Sequence, residues 1–153
     1  MTVYAFTDGA SRGNPGEAGI GIILKDERGI ILKRLSGFLG KATNNIAEYS
    51  ALLACLKVAG ETGCSRLVVH SDSELMVRQL KGEYRVKDAT LKKYFEKAHN
   101  LLQSAPFTFQ IKHVPREQNR EADQLANLGI DSKRPLSAVV FDHEDRAGGN
   151  QLP

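Results

Sequence analysis

Four carboxylates carry the chemistry this sequence could do: Asp8, Glu48, Asp72 and Asp123. Asp8 lies in Thr7-Asp8-Gly9-Ala10-Ser11-Arg12-Gly13-Asn14-Pro15-Gly16, behind an apolar run, Val3 to Phe6, that reads as a buried strand ending at Asp8. The glycines and Pro15 then require a tight, exposed turn. Asp72 follows a second apolar run, Leu67-Val68-Val69. Each acid also has an ordinary structural reading. Asp8-Gly9 suits a plain turn. Asn45 with Glu48, and Ser71 with Glu74, fit capping boxes at helix starts. Asp72 suits a helix N-cap or first turn, and Asp123 a solvated helix face. Convergence separates the two readings. If the two runs are neighbouring parallel strands, Asp8 and Asp72 leave at the same sheet edge, where open α/β sheets bind ligands. Glu48 and Asp123, on helices packed against that sheet, can reach the same point. Four carboxylates together repel one another without cations. Hard oxygen donors of this kind suit Mg²⁺ or Mn²⁺, and the set would serve two-metal cleavage of a phosphodiester.

The elements that must position these acids follow from periodicity. Thr2 to Thr7 reads as strand one, Ala18 to Lys25 as strand two and Ile30 to Phe38 as strand three, with a hairpin at Asp26-Glu27-Arg28-Gly29. Apolar residues recur at helical spacing from Ile46 to Glu61, with Gly60 and Gly63 marking the end. Arg66 to His70 reads as a strand covered on both faces. Helices follow from about Ser71 to Leu80 and from Ala89 to Gln103, then a fifth strand with Phe107, Phe109 and Ile111 inward. His113 continues that alternation, which predicts a structural role for it. A last helix runs from about Gln118 to Leu128, closed by Gly129. The order β-β-β-α-β-α-α-β-α predicts an α/β fold: a five-stranded mixed sheet, three antiparallel strands then parallel ones, flanked by helices.

The chain of 153 residues is long enough for one domain with a real core. Residues 1–130 are expected to form it, and 131–153 a largely mobile tail with one docked segment near Val139. A net charge of +3 is compatible with a nucleic-acid partner without requiring one. Cys55 and Cys64 make no disulfide framework, so a reducing cytoplasm is expected. No apolar run reaches membrane-spanning length, no membrane association is expected, and neither is a leader segment.

Four segments together resemble type 1 ribonuclease H: Thr7-Asp8-Gly9-Ala10-Ser11 with Gly13-Asn14-Pro15-Gly16; Thr43-Asn44-Asn45-Ile46-Ala47-Glu48; Ser71-Asp72-Ser73; and Asn119-Arg120-Glu121-Ala122-Asp123-Gln124-Leu125-Ala126. The resemblance covers roughly residues 1–130. It implies the ribonuclease H-like fold and endonucleolytic hydrolysis of the RNA strand of RNA/DNA hybrids, leaving 5′-phosphate and 3′-hydroxyl ends. It further implies two Mg²⁺ ions, with Mn²⁺ as a substitute. Asp8 would bridge them, Glu48 and Asp72 would help hold the ion near the leaving oxygen, and Asp123 the ion that activates water. Asn14, Thr43, Asn44, Asn45, Ser73 and Glu74 match substrate-binding positions, so cleavage should depend little on base sequence.

Some features depart from the common pattern. The stretch from Leu80 to Thr90 is short, with only Lys81, Arg85 and Lys87 in place of a basic protrusion. The loop Pro115-Arg116-Glu117-Gln118-Asn119-Arg120 lacks the mobile histidine of many members, leaving Arg116 or Glu117 as auxiliary groups. Glu74 stands where a neutral glutamine is common. These features look like the compact archaeal-type members and their bacterial relatives. A monomer is expected, and double-stranded RNA is an open second substrate. The alternative is a non-catalytic hybrid-binding module that keeps its acids as caps. A proofreading exonuclease is disfavoured because Gly9-Ala10 follows Asp8 where Asp-x-Glu is needed. An integrase is disfavoured by the Gly-Asn-Pro-Gly loop and the helical Glu48.

Overall fold

The structure is a computed structural model that describes residues 1–135. The docked segment expected near Val139 lies outside the described residues. Strands β1 (Thr2–Gly13), β2 (Gly16–Lys25) and β3 (Ile31–Ala42) form an antiparallel meander. Helix α1 (Asn44–Glu61), β4 (Arg66–Ser71), α2 (Glu74–Leu80), α3 (Ala89–Gln103), β5 (Thr108–His113) and α4 (Arg120–Ser132) follow. A 3-10 turn, Arg116–Gln118, leads into α4. The sheet order is β3-β2-β1-β4-β5, with β1–β4 and β4–β5 parallel, so the expected five-stranded mixed sheet is what the chain forms.

The two faces of the sheet are packed differently. On one, α1 lies against β1 and β2, with α3 behind it. Almost every turn of α1 is buried, through Ala47, Tyr49, Ala51, Leu52, Cys55, Leu56, Val58 and Ala59, because it is covered by the sheet on one side and by α3 on the other. Val3, Ala5, Ile20, Ile22, Leu24, Leu67 and Val69 project into the same cluster. Full burial of each of the larger side chains contributes roughly 1.5–3 kcal/mol. The opposite face receives α4 at very close range. A Cβ on Gly21 would lie 2.1 Å from the Ala122 carbonyl oxygen, and one on Gly19 would lie 2.4 Å from that of Ala126. Small residues on both partners therefore set the height of α4 above β2.

Several boundaries differ from the sequence reading. Strand β1 does not end at Asp8 but continues to Gly13, since β2 pairs with it throughout. Only its parallel partner stops early, at Thr7↔Ser71, so Asp8 sits one residue beyond the parallel ladder. The hairpin turn falls at Gly13-Asn14-Pro15-Gly16. Helix α4 passes Gly129, which packs against the Gly37 backbone, and ends at Ser132 with left-handed Lys133 behind it. Asp131 and Lys133 pair with Arg12 and Glu17. His113, expected inward, is exposed, because the buried rhythm of β5 stops at Ile111. Glycine suits the hairpin at Gly29, whose φ is +80°, while the Asp26 carboxylate accepts from the N–H groups of Arg28 and Ile30.

Candidate active site

Asp8, Glu48 and Asp72 converge from three elements: the centre of the sheet, the first turns of α1, and the segment just past β4. One carboxylate oxygen from each lies within 4.8 Å of the others. Glycine makes this possible at Gly9, where a Cβ would lie 2.2 Å from the Ala47 carbonyl carbon, so only a bare backbone lets α1 come this near β1. The Gly9 N–H then donates to Glu48 Oε1 at 3.0 Å. This bond replaces the expected capping box. Thr43 is the N-cap of α1 instead, and its hydroxyl accepts from the Ile46 N–H. Likewise Ser73, not Ser71 or Asp72, caps α2. Glu48 and Asp72 are thus released from capping.

Asp123 reaches the cluster from α4. Its carboxyl is close enough to that of Asp8 to share a hydrogen bond, and both line a cleft of about 320 Å³ with Glu48, Asn44, Arg116 and Asn127. Burial, then the charges of Glu48 and Asp72, pushes the Asp8 carboxyl up to about 10. Burial and Asp72 push Glu48 up to about 8, against the pull of the Gly9 N–H and the Arg116 guanidinium. Two buried acids held this far above the carboxylate range favour either a proton or a cation between them. Four hard oxygen donors with no nitrogen or sulfur among them fit a divalent cation such as Mg²⁺ or Mn²⁺.

Asn14, Thr43, Asn44 and Asn45 lie together where the β1–β2 hairpin meets the start of α1. Asn14 Oδ1 accepts from the Asn44 N–H at 3.1 Å, and Asn44 Oδ1 accepts from the Ser11 N–H at 3.0 Å. Both side-chain oxygens are occupied, which leaves their NH₂ groups as donors toward solvent or substrate. Asn45 is exposed in the first turn of α1. Ser73 and Glu74 follow Asp72 directly, but Glu74 bonds Arg78 Nε at 2.9 Å, and Arg78 also pairs with Glu83. Glu74 thus shares the Arg78 guanidinium with Glu83. Arg116 lines the cleft, whereas Glu117 borders a shallower depression beside Asp123 and Gln124.

Asn119, in the last of the four motif segments, has a role that the tertiary structure reveals. Its side chain is 1% exposed, and Nδ2 donates to the Thr7 carbonyl at 2.8 Å and faces Asp72 Oδ2 at 3.4 Å. One amide thus ties the residue before Asp8 to Asp72 and to the start of the helix that carries Asp123. Periodicity starts the last helix at about Gln118 and so places Asn119 inside it, which conceals this function in the sequence. Here its side chain makes no cap bond.

Comparison with known proteins agrees with this geometry. A family profile described as reverse transcriptase-like matches residues 6–129. Ribonuclease HI of Halobacterium salinarum is 41% identical over 129 residues, covering 84% of this chain and 64% of the relative. The crystal structure of RNase H1 from that organism superposes with a TM-score of 0.82 over 86% of this chain and 99% of its own. LC11-RNase H1, solved in complex with an RNA/DNA hybrid, is 41% identical with a TM-score of 0.83, covering 86% of this chain and 98% of that one. The bifunctional protein Rv2228c of Mycobacterium tuberculosis is 37% identical over 143 residues, which cover 93% of this chain and 39% of the relative. The chain therefore spans only part of the curated relatives it matches.

Proposed function

Since this chain belongs to the type 1 ribonuclease H family, we propose that it is a metal-dependent endonuclease that hydrolyses the RNA strand of RNA/DNA hybrids, leaving 5′-phosphate and 3′-hydroxyl ends. The observation that carries this reading is the convergence of Asp8, Glu48 and Asp72 at one point, with Asp123 lining the same cleft. These four residues would hold two divalent cations, Mg²⁺ or Mn²⁺. When bound, the cations lower the pKa of the attacking water and stabilise charge on the phosphodiester.

The chain's own residues do the rest. Glu48 is held by the Gly9 N–H, and Asp72 is faced by the Asn119 amide, so two of the four ligands have their orientation set before any cation arrives. The amides of Asn14 and Asn44, with Thr43 and Asn45 beside them, offer neutral groups to the sugar-phosphate backbone and 2′-hydroxyls, which accounts for binding without base readout. Ser73 extends that surface past Asp72. Arg116, whose charge acts on Glu48, is the auxiliary cation of the cleft, placed to attract a phosphate; Glu117 is the weaker candidate. The protein acts as a monomer. Free, buried Cys55 and Cys64 support a cytoplasmic location, and among the described residues no helix is long and apolar enough to cross a membrane.

The test is incubation with an end-labelled RNA strand annealed to DNA or to RNA, in Mg²⁺ and then in Mn²⁺, beside Asp72→Asn. Internal cuts in the hybrid that vanish in the variant are expected. Cuts in duplex RNA as well would widen the substrate class. Binding without cuts in either metal would favour the hybrid-binding module and overturn the enzymatic reading.

A further inference from the structure

We propose that the uncovered half of the sheet, on the side that carries α4, binds single-stranded nucleic acid continuing from a hybrid engaged at the carboxylates. Paired strand residues share a face, so Tyr4 and Phe6 of β1 line up with Arg66 and His70 of β4, Lys112 of β5 and Lys25 of β2. Helix α4 packs over β2, β3 and β1. Helix α2 reaches β5, but it buries Met76 and Val77 in the main core on the other side. Val68, on the same row, is fully buried, yet it stands outside the main core cluster.

The chemistry of this face is specific. The rings of Phe6 and His70 stack at 4.4 Å and 11°, and Tyr4 lies 6.4 Å from His70. Lys25 Nζ sits 5.3 Å from the Phe6 centroid. Arg66 donates to Gln110 at 3.0 Å, and the Lys112 charge acts on His70, so the cations stand on β4 and β5 beside the rings. Burial holds His70 below its ordinary range. None of the strand residues on this bare half is acidic. Acids stand at its border, where Asp8 follows Phe6 on the same row of β1, Glu121 of α4 pairs with Lys25 at 3.3 Å and Glu117 lines a cleft beside Phe6. Aromatic rings interleaved with cations on a β-sheet are what stacks bases and neutralises phosphates. Continuity favours nucleic acid over an acidic peptide. Asp8 is the next residue on this row of β1 after Phe6, roughly 6.6 Å along the strand, so the rings begin one row position from the carboxylates.

This inference rests on the hybrid-directed reading above, and the experiment keeps the two apart. Binding of the full chain would be measured by fluorescence anisotropy in EDTA, using a blunt hybrid, the same hybrid with a single-stranded pyrimidine overhang, and one whose overhang is abasic. The pyrimidine overhang is expected to tighten binding at least about fivefold, and the abasic one much less, because stacking on the rings is lost. The double variant Arg66→Glu with Lys112→Glu, both at exposed positions, should remove that gain and lower the salt slope for the overhang by about 2. Its cleavage of the blunt hybrid in Mg²⁺ should stay unchanged. Equal affinity for blunt and overhanging hybrids overturns the inference. So does an equal loss on both in the double variant, or full competition by polyglutamate. If the hybrid is neither bound nor cut, the proposed activity fails; a free pyrimidine strand then still tests the face by itself.

Discussion

The two faces of the sheet solve different problems. The α1 face is thick with large side chains, such as Ile20, Ile22, Leu24, Tyr49 and Leu52, and it holds the molecule together. The α4 face is thin. Gly19, Gly21 and Gly129 allow backbone to touch backbone, and Ala122 and Ala126 pack beside them, with Ile130 the one large, fully buried side chain that α4 adds. A thick layer tolerates adjustment, since side chains can repack around a change. A thin layer transmits any change directly to the helix that carries Asp123. Stability thus resides mostly on one face and precision on the other. The carboxylates draw on both faces, Glu48 from α1 on the first and Asp123 from α4 on the second.

The largest expected effect tests that contrast. Asp8→Asn should reduce hybrid cleavage at least about a thousandfold, measured as initial rates. It should also raise the metal-free melting temperature by at least about 3 °C, because a buried repulsion is gone. A variant that lost both activity and stability would show Asp8 to be a structural acid.

Next comes the thin layer itself. Gly21→Ala places a methyl 2.1 Å from the Ala122 carbonyl oxygen, so α4 must move. The expected cost is about 3 kcal/mol, together with a loss of activity per folded molecule. Leu52→Ala, on the thick face, should cost about 2–5 kcal/mol and leave turnover per folded molecule nearly intact. Denaturant melts paired with active-site titration distinguish the two. If both variants lose activity only in proportion to unfolding, the contrast between the faces is wrong.

The pH dependence sharpens the comparison further. Asp8 and Glu48 have folded pKa values raised to about 10 and about 8, from 3.8 and 4.5. The folded state therefore binds more protons than the unfolded one in between. The contribution of these groups to stability is greatest below about pH 4 and is lost as pH rises toward about 10. The metal-free protein should thus become less stable across that window than Asp8→Asn does, and Mg²⁺ should flatten the difference. Thermal melts at several pH values, with and without Mg²⁺, would show it.

Smaller effects are expected where residues act at one remove. Asn119→Ala should raise the Mg²⁺ concentration for half-maximal activity about tenfold, and weaken Mg²⁺ binding by calorimetry to match. A change in melting temperature alone would make Asn119 purely structural. The smallest effect belongs to Glu74→Gln. Because Glu74 is exposed and already paired with Arg78, hybrid affinity should change by less than about threefold.

Much of this molecule was readable in the chain. Alternation in β2 and β5, helical spacing in α1 and α3, and the Asp26–Gly29 turn are local patterns. They respond to whether a residue is buried, which periodicity reports directly. The four acids could be named from residue type and from their place beside apolar runs. What tertiary structure decided was which neighbour each residue met. Nothing local shows that Gly9 is bare so that α1 can approach it, or that its N–H takes Glu48 away from a capping box. Glu48 and Asn45 satisfy the capping pattern equally well, and only contact with β1 settles the choice. Gly129 reads as a stop because glycine commonly ends helices, yet here it lets α4 run on by pressing against Gly37. Asn119 has no role legible in the sequence and is a buried tether. In each case a short-range pattern was compatible with two partners, and the partner chosen lay far along the chain.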